Sequence, residues 1–347
     1  LLASFQSLAL SSGNGVYRVS WRVSNVNRGD SIEFLVKLRG VTRNNIPLPP
    51  IDLLPATITA GPGTIVNRQT IVIRFSIQND PVIRARQLNI QGLSATAIAQ
   101  RLTTEFFLTP QLTAEILKDE AFLPSEIMTA LRDVFNLTAL QSAEVLTSLG
   151  FSSIEIAQAL LSVFNLTAAE TASILKTLNF TVIQITLALF SAFNLAALDT
   201  ALILKGLDFS ATDIANGLFQ VYNLAAFNAA SILKTIGFAV LDTATALLAI
   251  YNLAAQAAAQ ILKDIGFTVL EVGQALKNVF NQAALAAAGI LNAIGFVVNG
   301  ITQVLKSLYT LAGLAAADIL RQIGITATLI AQALNNVFDF LANQIAS

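Results

Sequence analysis

From residue 94 onward the apolar positions fall into two helical stripes that return every 29 residues without insertion or deletion. In "TAAETASILKTL" (167–178), Ala168, Thr171, Ala172, Leu175 and Leu178 keep the i, i+3, i+4, i+7 spacing of one helix face. In "SSIEIAQALLSVF" (152–164), Ile156, Ala157, Leu160 and Phe164 do the same. A Leu column runs through 102, 131, 160, 189, 218, 247, 276, 305 and 334, and an Ala column through 114, 143, 172, 201, 230, 259, 288 and 317. Columns so constant among copies within one chain mark the buried faces of two short helices per unit.

Helix starts are written into the same period. Thr138/Gln141, Ser152/Glu155, Thr167/Glu170, Ser210/Asp213 and Thr268/Glu271 have the spacing of capping boxes, and Pro110 and Pro124 sit where a first helical turn tolerates proline. Two kinds of stop alternate with them. One places Gly150, Gly237, Gly266 or Gly295 before a Phe; the other places Asn136, Asn165, Asn194, Asn223, Asn252 or Asn281 after an aromatic residue and, except at the last, before a Leu. Gly and Asn are the residues that end helices in the left-handed conformation, with the following apolar residue folding back on the last turn. Counted from Ser94, the pattern predicts a lone helix (94–106) and eight hairpins, seventeen helices in all, ending near Ile345. At roughly 8–10 Å per packed helix, such a stack is a rod or gentle superhelix on the order of 70–90 Å long.

Before residue 92 the period changes to two. "VYRVSWRVSNV" (16–26), "SIEFLVKLRGV" (31–41) and "TIVIRFSIQ" (70–78) alternate apolar and polar residues, separated by turn clusters, and six of the eight prolines lie in this region. The expected fold class is therefore α+β and multidomain. Residues 1–15 form an extension or first strand able to join a neighbour's sheet, 16–91 a small antiparallel β-sandwich of immunoglobulin type with a Pro-rich loop at 47–55, and 92–347 an all-α solenoid of eight and a half hairpins.

Composition narrows the chemistry. The chain has no cysteine and no histidine, which removes disulfides, thiol nucleophiles, Cys/His metal sites and imidazole bases; the expectation is no enzyme and no cofactor. A chain that starts at Leu1 is either a processed mature protein or a fragment, a removed signal peptide fits it, and a single Met fits an oxidising exterior. Residues 1–91 hold ten basic groups against four acids, while the remainder holds ten against seventeen, so the two parts attract each other within or between chains.

Several motifs have a plain structural reading. Lys118, Lys176, Lys205, Lys234, Lys263 and Arg321 form a basic ladder, but the array is net acidic and each cation sits in a last helical turn, where it complements the dipole; no nucleic-acid partner is expected. The acids Glu126, Glu155, Asp213, Asp242 and Glu271 share one column at helix starts, the other favoured end. Arg28-Gly29-Asp30 reads as a hairpin turn. Uncharged runs at 243–262 and 278–305 are broken by Gly or Asn into helices too short to span a membrane. Asn136, Asn165 and Asn179 begin sequons, so a glycan is an expected modification of a secreted chain; yet the Thr becomes Ala after Asn194, Asn223 and Asn252 while the Asn stays.

The pattern "ILK-x-x-GF … IAQAL-x-x-VFN" resembles tandem helical-hairpin arrays of secreted or surface proteins of bacteria and archaea, over about three quarters of the chain. The resemblance implies an extracellular setting and no particular activity.

The helices keep little polar face: "AALAAAGILNAIGF" (283–296) is almost wholly apolar or small, and the end of the chain, with Phe338, Phe340, Leu341 and Ile345, lacks a polar cap. The expectation is an extracellular structural protein that polymerises with copies of itself into a filament, sheath or surface layer. The alternative is a monomeric surface adhesin, with the solenoid as stalk and the Arg-rich β-domain as head.

Overall fold

The computed structural model describes residues 31–38, 42–43, 46–47, 51–59 and 80–339. Strand β1 (Ser31–Leu38) pairs antiparallel with β4 (Ile51–Thr59), with a register irregularity between Phe34 and Val36, and β2 (Thr42–Arg43) pairs with β3 (Ile46–Pro47). These are two separate two-stranded ladders. Residues 80–338 are entirely helical.

That overturns the α+β reading with an immunoglobulin-like sandwich. No described sheet has more than two strands, and the stretch assigned to the end of the sandwich is helix α1 (Pro81–Ile90). Alternation identified strand β1, but a period of two says nothing of how many strands assemble. The predicted strands at 16–26 and 70–78, the extension 1–15 and the Arg28-Gly29-Asp30 turn lie outside the described residues.

Helix α1 escaped the sequence reading because its inward face carries Arg86, which breaks the apolar stripe; Arg86 Nε reaches the fully buried Glu120 carboxylate at 2.9 Å. Asp80 caps the helix from outside, accepting from the Val82 amide at 2.8 Å, and Pro81 fills the first position. The helix predicted to stand alone, α2 (Ala95–Phe106), therefore has a hairpin mate, and the described residues contain eighteen helices instead of seventeen.

The rest follows the 29-residue period. Odd helices α3 (Pro110–Asp119), α5 (Ala139–Ser148), α7 (Ala168–Thr177), α9 (Ala197–Gly206), α11 (Ala226–Thr235), α13 (Ala255–Asp264), α15 (Ala284–Ala293) and α17 (Gly313–Gln322) each have ten residues. Even helices α4 (Pro124–Phe135), α6 (Ser153–Phe164), α8 (Val182–Phe193), α10 (Ala211–Tyr222), α12 (Val240–Tyr251), α14 (Val269–Asn278), α16 (Val298–Ser307) and α18 (Ala327–Phe338) have ten or twelve. All five predicted capping boxes form: the Thr167 amide, for example, donates to Glu170 Oε2 at 2.8 Å while Thr167 Oγ1 accepts from the Glu170 amide.

The chain divides into two compact units, residues 1–151 with 162–164, and residues 152–161 with 165–347. In the first, α1 to α5 pack pairwise as hairpins and onto the helix two ahead. In the second the same rule runs from α7 to α18, giving an odd and an even layer around one apolar seam. The Leu column is buried throughout, and the Ala column is fully buried except at Ala317.

Candidate interaction surfaces

The two helix stops are both left-handed, as the sequence implies, but they close differently. At the Gly stop, Gly150 (φ 79°) donates to Thr147 O at 2.9 Å and Phe151 donates to Leu146 O at 3.2 Å, the paired bonds of a Schellman turn. At the Asn stop, Asn136 takes φ 55° and the next amide, Leu137, reaches six residues back to Leu131 O at 3.3 Å. Leu224, Leu253, Gln282 and Leu311 repeat that wide closure onto Leu218, Leu247, Leu276 and Leu305. Its carbonyl acceptors belong to the constant Leu column, so in these five even helices a buried core residue also anchors the turn that ends the helix.

Asn136, Asn165 and Asn179 are exposed, and so are Asn194, Asn223, Asn252 and Asn281 and the stops Gly150, Gly237, Gly266 and Gly295. In the three sequons the Thr hydroxyl is already engaged, Thr138 and Thr181 with Gln141 and Gln184, Thr167 with Glu170. Phe338 is half-buried at the edge of the core, with Lys306 Nζ 5.1 Å from its ring centre; Phe340, Leu341 and Ile345 lie outside the described residues.

The members of the basic ladder stand in the last turns of their own helices, as expected, and the lysines also bind the next repeat. Each lysine reaches 31 residues forward: Lys234 Nζ donates to Ile265 O at 2.6 Å and sits 4.7 Å from the Phe267 ring centre. Lys118, Lys176, Lys205 and Lys263 make the same rungs to Leu149, Leu207, Ile236 and Ile294, over Phe151, Phe209, Phe238 and Phe296, which follow the stops Gly150, Asp208, Gly237 and Gly295. Asn89 and Asn292 fill the position with a carboxamide, bonding Glu120 O at 3.1 Å and Ile323 O at 3.4 Å. A cation thus meets the negative end of the neighbouring repeat's helix and an aromatic face together. Arg321, the last member named from sequence, pairs with Asp318 at 2.7 Å in its own helix.

The even layer has a parallel device that sequence reading missed. Arg132, Lys277 and Lys306 stand over the rings of Phe164, Tyr309 and Phe338, 32 residues on. At the same position Phe190 and Phe219 meet Tyr222 and Tyr251 edge-on, with centroids 5.2 and 5.3 Å apart. One slot accepts a cation or a ring edge because both suit the negative face of the aromatic. The Tyr hydroxyls tie backward, Tyr222 to Leu195 O at 2.9 Å, Tyr251 to Leu224 O at 3.2 Å and Tyr309 to Gln282 O at 2.7 Å. Burial pushes the Tyr251 hydroxyl up to about 12 and raises those of Tyr222 and Tyr309.

These rungs engage most of the ladder's cations, and beside exposed acids such as Asp199, Asp242 and Asp264 the outward faces carry large apolar side chains. On the odd layer Leu198, Leu202 (50% exposed), Phe227 (47%), Leu285 and Leu314 (72%) face solvent; on the even layer Leu187, Phe190, Phe219 and Leu248 do. Helix α15, apolar or small at every position but Asn292, fully buries only Ala287, Ala288 and Leu291. A groove of about 440 Å³ between the start of α16 and the middle of α18 is lined by Val297, Leu329 and the carboxamides of Asn299, Gln332, Asn335 and Asn336, with no ionisable group. Among the described residues no cluster of acids has the makings of a metal site, and no helix is long and apolar enough to cross a membrane.

Comparison with protein-family models, with curated proteins and with solved structures finds no match.

Proposed function

We propose that this chain is a structural protein of the cell exterior that assembles with copies of itself into an extended polymer through the outer faces of its helical array. The observation that supports this reading most is the register of the exposed apolar side chains. Leu198, Phe227, Leu285 and Leu314 recur at one position of the odd helices α9, α11, α15 and α17, with Gln256 of α13 between them, and Phe190, Phe219 and Leu248 at one position of the successive even helices α8, α10 and α12. Large apolar side chains recurring in rows on an outer face are of the kind that mark an interaction site. Two such faces on opposite layers let one copy hold two neighbours, which is what an open assembly requires. The single Met and the likeness of the repeat to secreted arrays favour an external location. Negative-stain microscopy and light scattering on the purified full chain test the reading. Extended particles growing with concentration are expected; a monodisperse monomer at the highest attainable concentration overturns it.

A further inference from the structure

The second residues of five successive odd helices form a row: Leu198, Phe227, Gln256, Leu285 and Leu314, all exposed. Its character reads the same from either end, two apolar residues, a carboxamide, two apolar residues. Beside it, at the helix N-caps, stand Ala196, Ala225, Ala254, Ala283 and Ala312, also exposed and without any side-chain cap. The odd helices before them differ. Thr109, Thr138 and Thr167 cap α3, α5 and α7, and the second residues there are the exposed Gln111, the half-buried Leu140 and the exposed Ala169. The capping hydroxyl is thus absent from the five helices that carry the row. A threonine there would place a polar group against the knobs; alanine leaves a low shelf beside each one.

We propose that this row is the seat of a second copy of the chain, packed about a two-fold axis that passes by Gln256. The inference rests on the self-assembly reading and names its contact. A two-fold contact needs a self-complementary patch, and this row has one: the axis sets Leu198 opposite the neighbour's Leu314, Phe227 opposite its Leu285, and Gln256 opposite itself. Carboxamides meeting on the axis can each donate and accept. The spacing selects the partner as well. Knobs set one per helix mesh only with a surface of equal pitch, and a second copy of the array has that pitch. Five helices at roughly 9 Å spacing present a strip about 45 Å long and, at a helix length of about 15 Å, roughly 700 Å² in area, close to the ~800 Å² per partner of a standard stable interface.

The absence of native cysteine makes the contact directly readable in the full chain. Gln256→Cys should form a disulfide dimer under mild oxidation, and an equimolar mixture of Phe227→Cys and Leu285→Cys should give several-fold more crosslinked dimer than either alone, because a bridge requires Cα atoms within about 7 Å. Ser162→Cys, exposed on an even helix, is the control. Leu285→Asp with Leu314→Asp should weaken association at least tenfold, with helical content and melting temperature as the check on folding. If light scattering shows self-association but the row variants crosslink no better than the control, the contact lies elsewhere and the self-assembly reading stands. Crosslinking in a chain whose association the Asp substitutions leave unchanged also overturns the proposal. A chain that stays monomeric sinks both.

Discussion

Thr186 fills the space that Gly217 leaves open: a Cβ on Gly217 would stand 2.5 Å from the Thr186 hydroxyl oxygen. The two residues are 31 apart, at facing positions of α8 and α10, and Thr186 Oγ1 is held in place by its bond to Val182 O at 2.7 Å. One repeat further along the same two columns stand Ala215 and Ala246; two further, Ala244 and Ala275; three further, Gly273 and Val304, where a Cβ would meet Val304 at 2.9 Å. The pair keeps its combined volume while its members trade size. What the fold fixes at this contact is the interhelix distance, and several residue pairs satisfy it.

Gly217→Ala alone should therefore lower stability by about 1–3 kcal/mol through overpacking, despite alanine's better helix propensity. With Thr186→Ala added, the pair becomes the Ala/Ala found elsewhere in the array, and most of the loss should return. Urea unfolding of the wild type, both single variants and the double variant measures the coupling. Additive effects would show that the two side chains do not share the space.

Each lysine rung joins two repeats at three atoms' worth of contact, its ammonium, a helix-end carbonyl and a ring. Lys234→Met keeps the apolar stem but leaves Ile265 O without its donor and Phe267 without its cation, a loss of about 1–2 kcal/mol. Lys234→Asn, the residue that serves at Asn89 and Asn292, should lose less. Because contacts in a repeat array are between neighbours, hydrogen exchange should accelerate most at the end of α13 and little in α17.

The helices, their caps and both stops were legible because each is a local demand of the backbone. A left-handed stop favours Gly, Asn or Asp, although Phe107, Ala121 and Thr310 also take it, and a Ser or Thr N-cap offers its hydroxyl to the third amide of the helix. Asn165, Thr167 and Glu170 therefore announce themselves within six residues of chain. The rungs were not legible, since Lys234 finds Ile265 only when the stacking offset of 31 residues is known, and the sequence displays the repeat of 29 instead. Helix α1 was missed for the opposite reason: a buried ion pair, Arg86 with Glu120, imitates surface. The sandwich was over-read from alternation alone, which identifies a strand but leaves its neighbours unspecified.

The tyrosine column gives the array an alkaline limit. The Tyr251 hydroxyl is a donor to Leu224 O in a half-buried site, and burial raises its pKa from 10.0 to about 12. A folded value above the unfolded one means that between those pH values the native chain keeps a proton that the unfolded chain has lost. The stability held by the neutral hydroxyl is thus complete below about pH 10 and is lost as pH rises through about 12. Partial exposure of the ring makes the effect smaller than the full shift would give. Tyr251→Phe should flatten the decline of the urea midpoint between pH 9 and 11.5 relative to wild type. Parallel curves would mean that the hydroxyl titrates as it does in the unfolded chain.

Among the described residues, the buried hydroxyls of Thr113, Ser142 and Thr171 have no hydrogen-bond partner, whereas Thr200, one repeat after Thr171, meets the Tyr222 hydroxyl at 2.6 Å. The residues that stand 22 positions after the orphans are Phe135, Phe164 and Phe193, rings without a hydroxyl. Where Tyr251 and Tyr309 occupy that column, the partner position holds Ala229 and Ala287. Thr171 is therefore a donor whose acceptor is one atom short. Phe193→Tyr would place that atom between Thr171 Oγ1 and Leu166 O, as Tyr222 stands between Thr200 and Leu195 O, and should stabilise the chain by about 1 kcal/mol. Thr171→Ala in the wild-type background should be neutral or stabilising, because it removes a buried group that nothing satisfies. In the Phe193→Tyr background the same change should destabilise. A sign reversal between the two backgrounds, read from urea midpoints, is the test; the same sign in both would mean that the new hydroxyl bonds only to the Leu166 carbonyl.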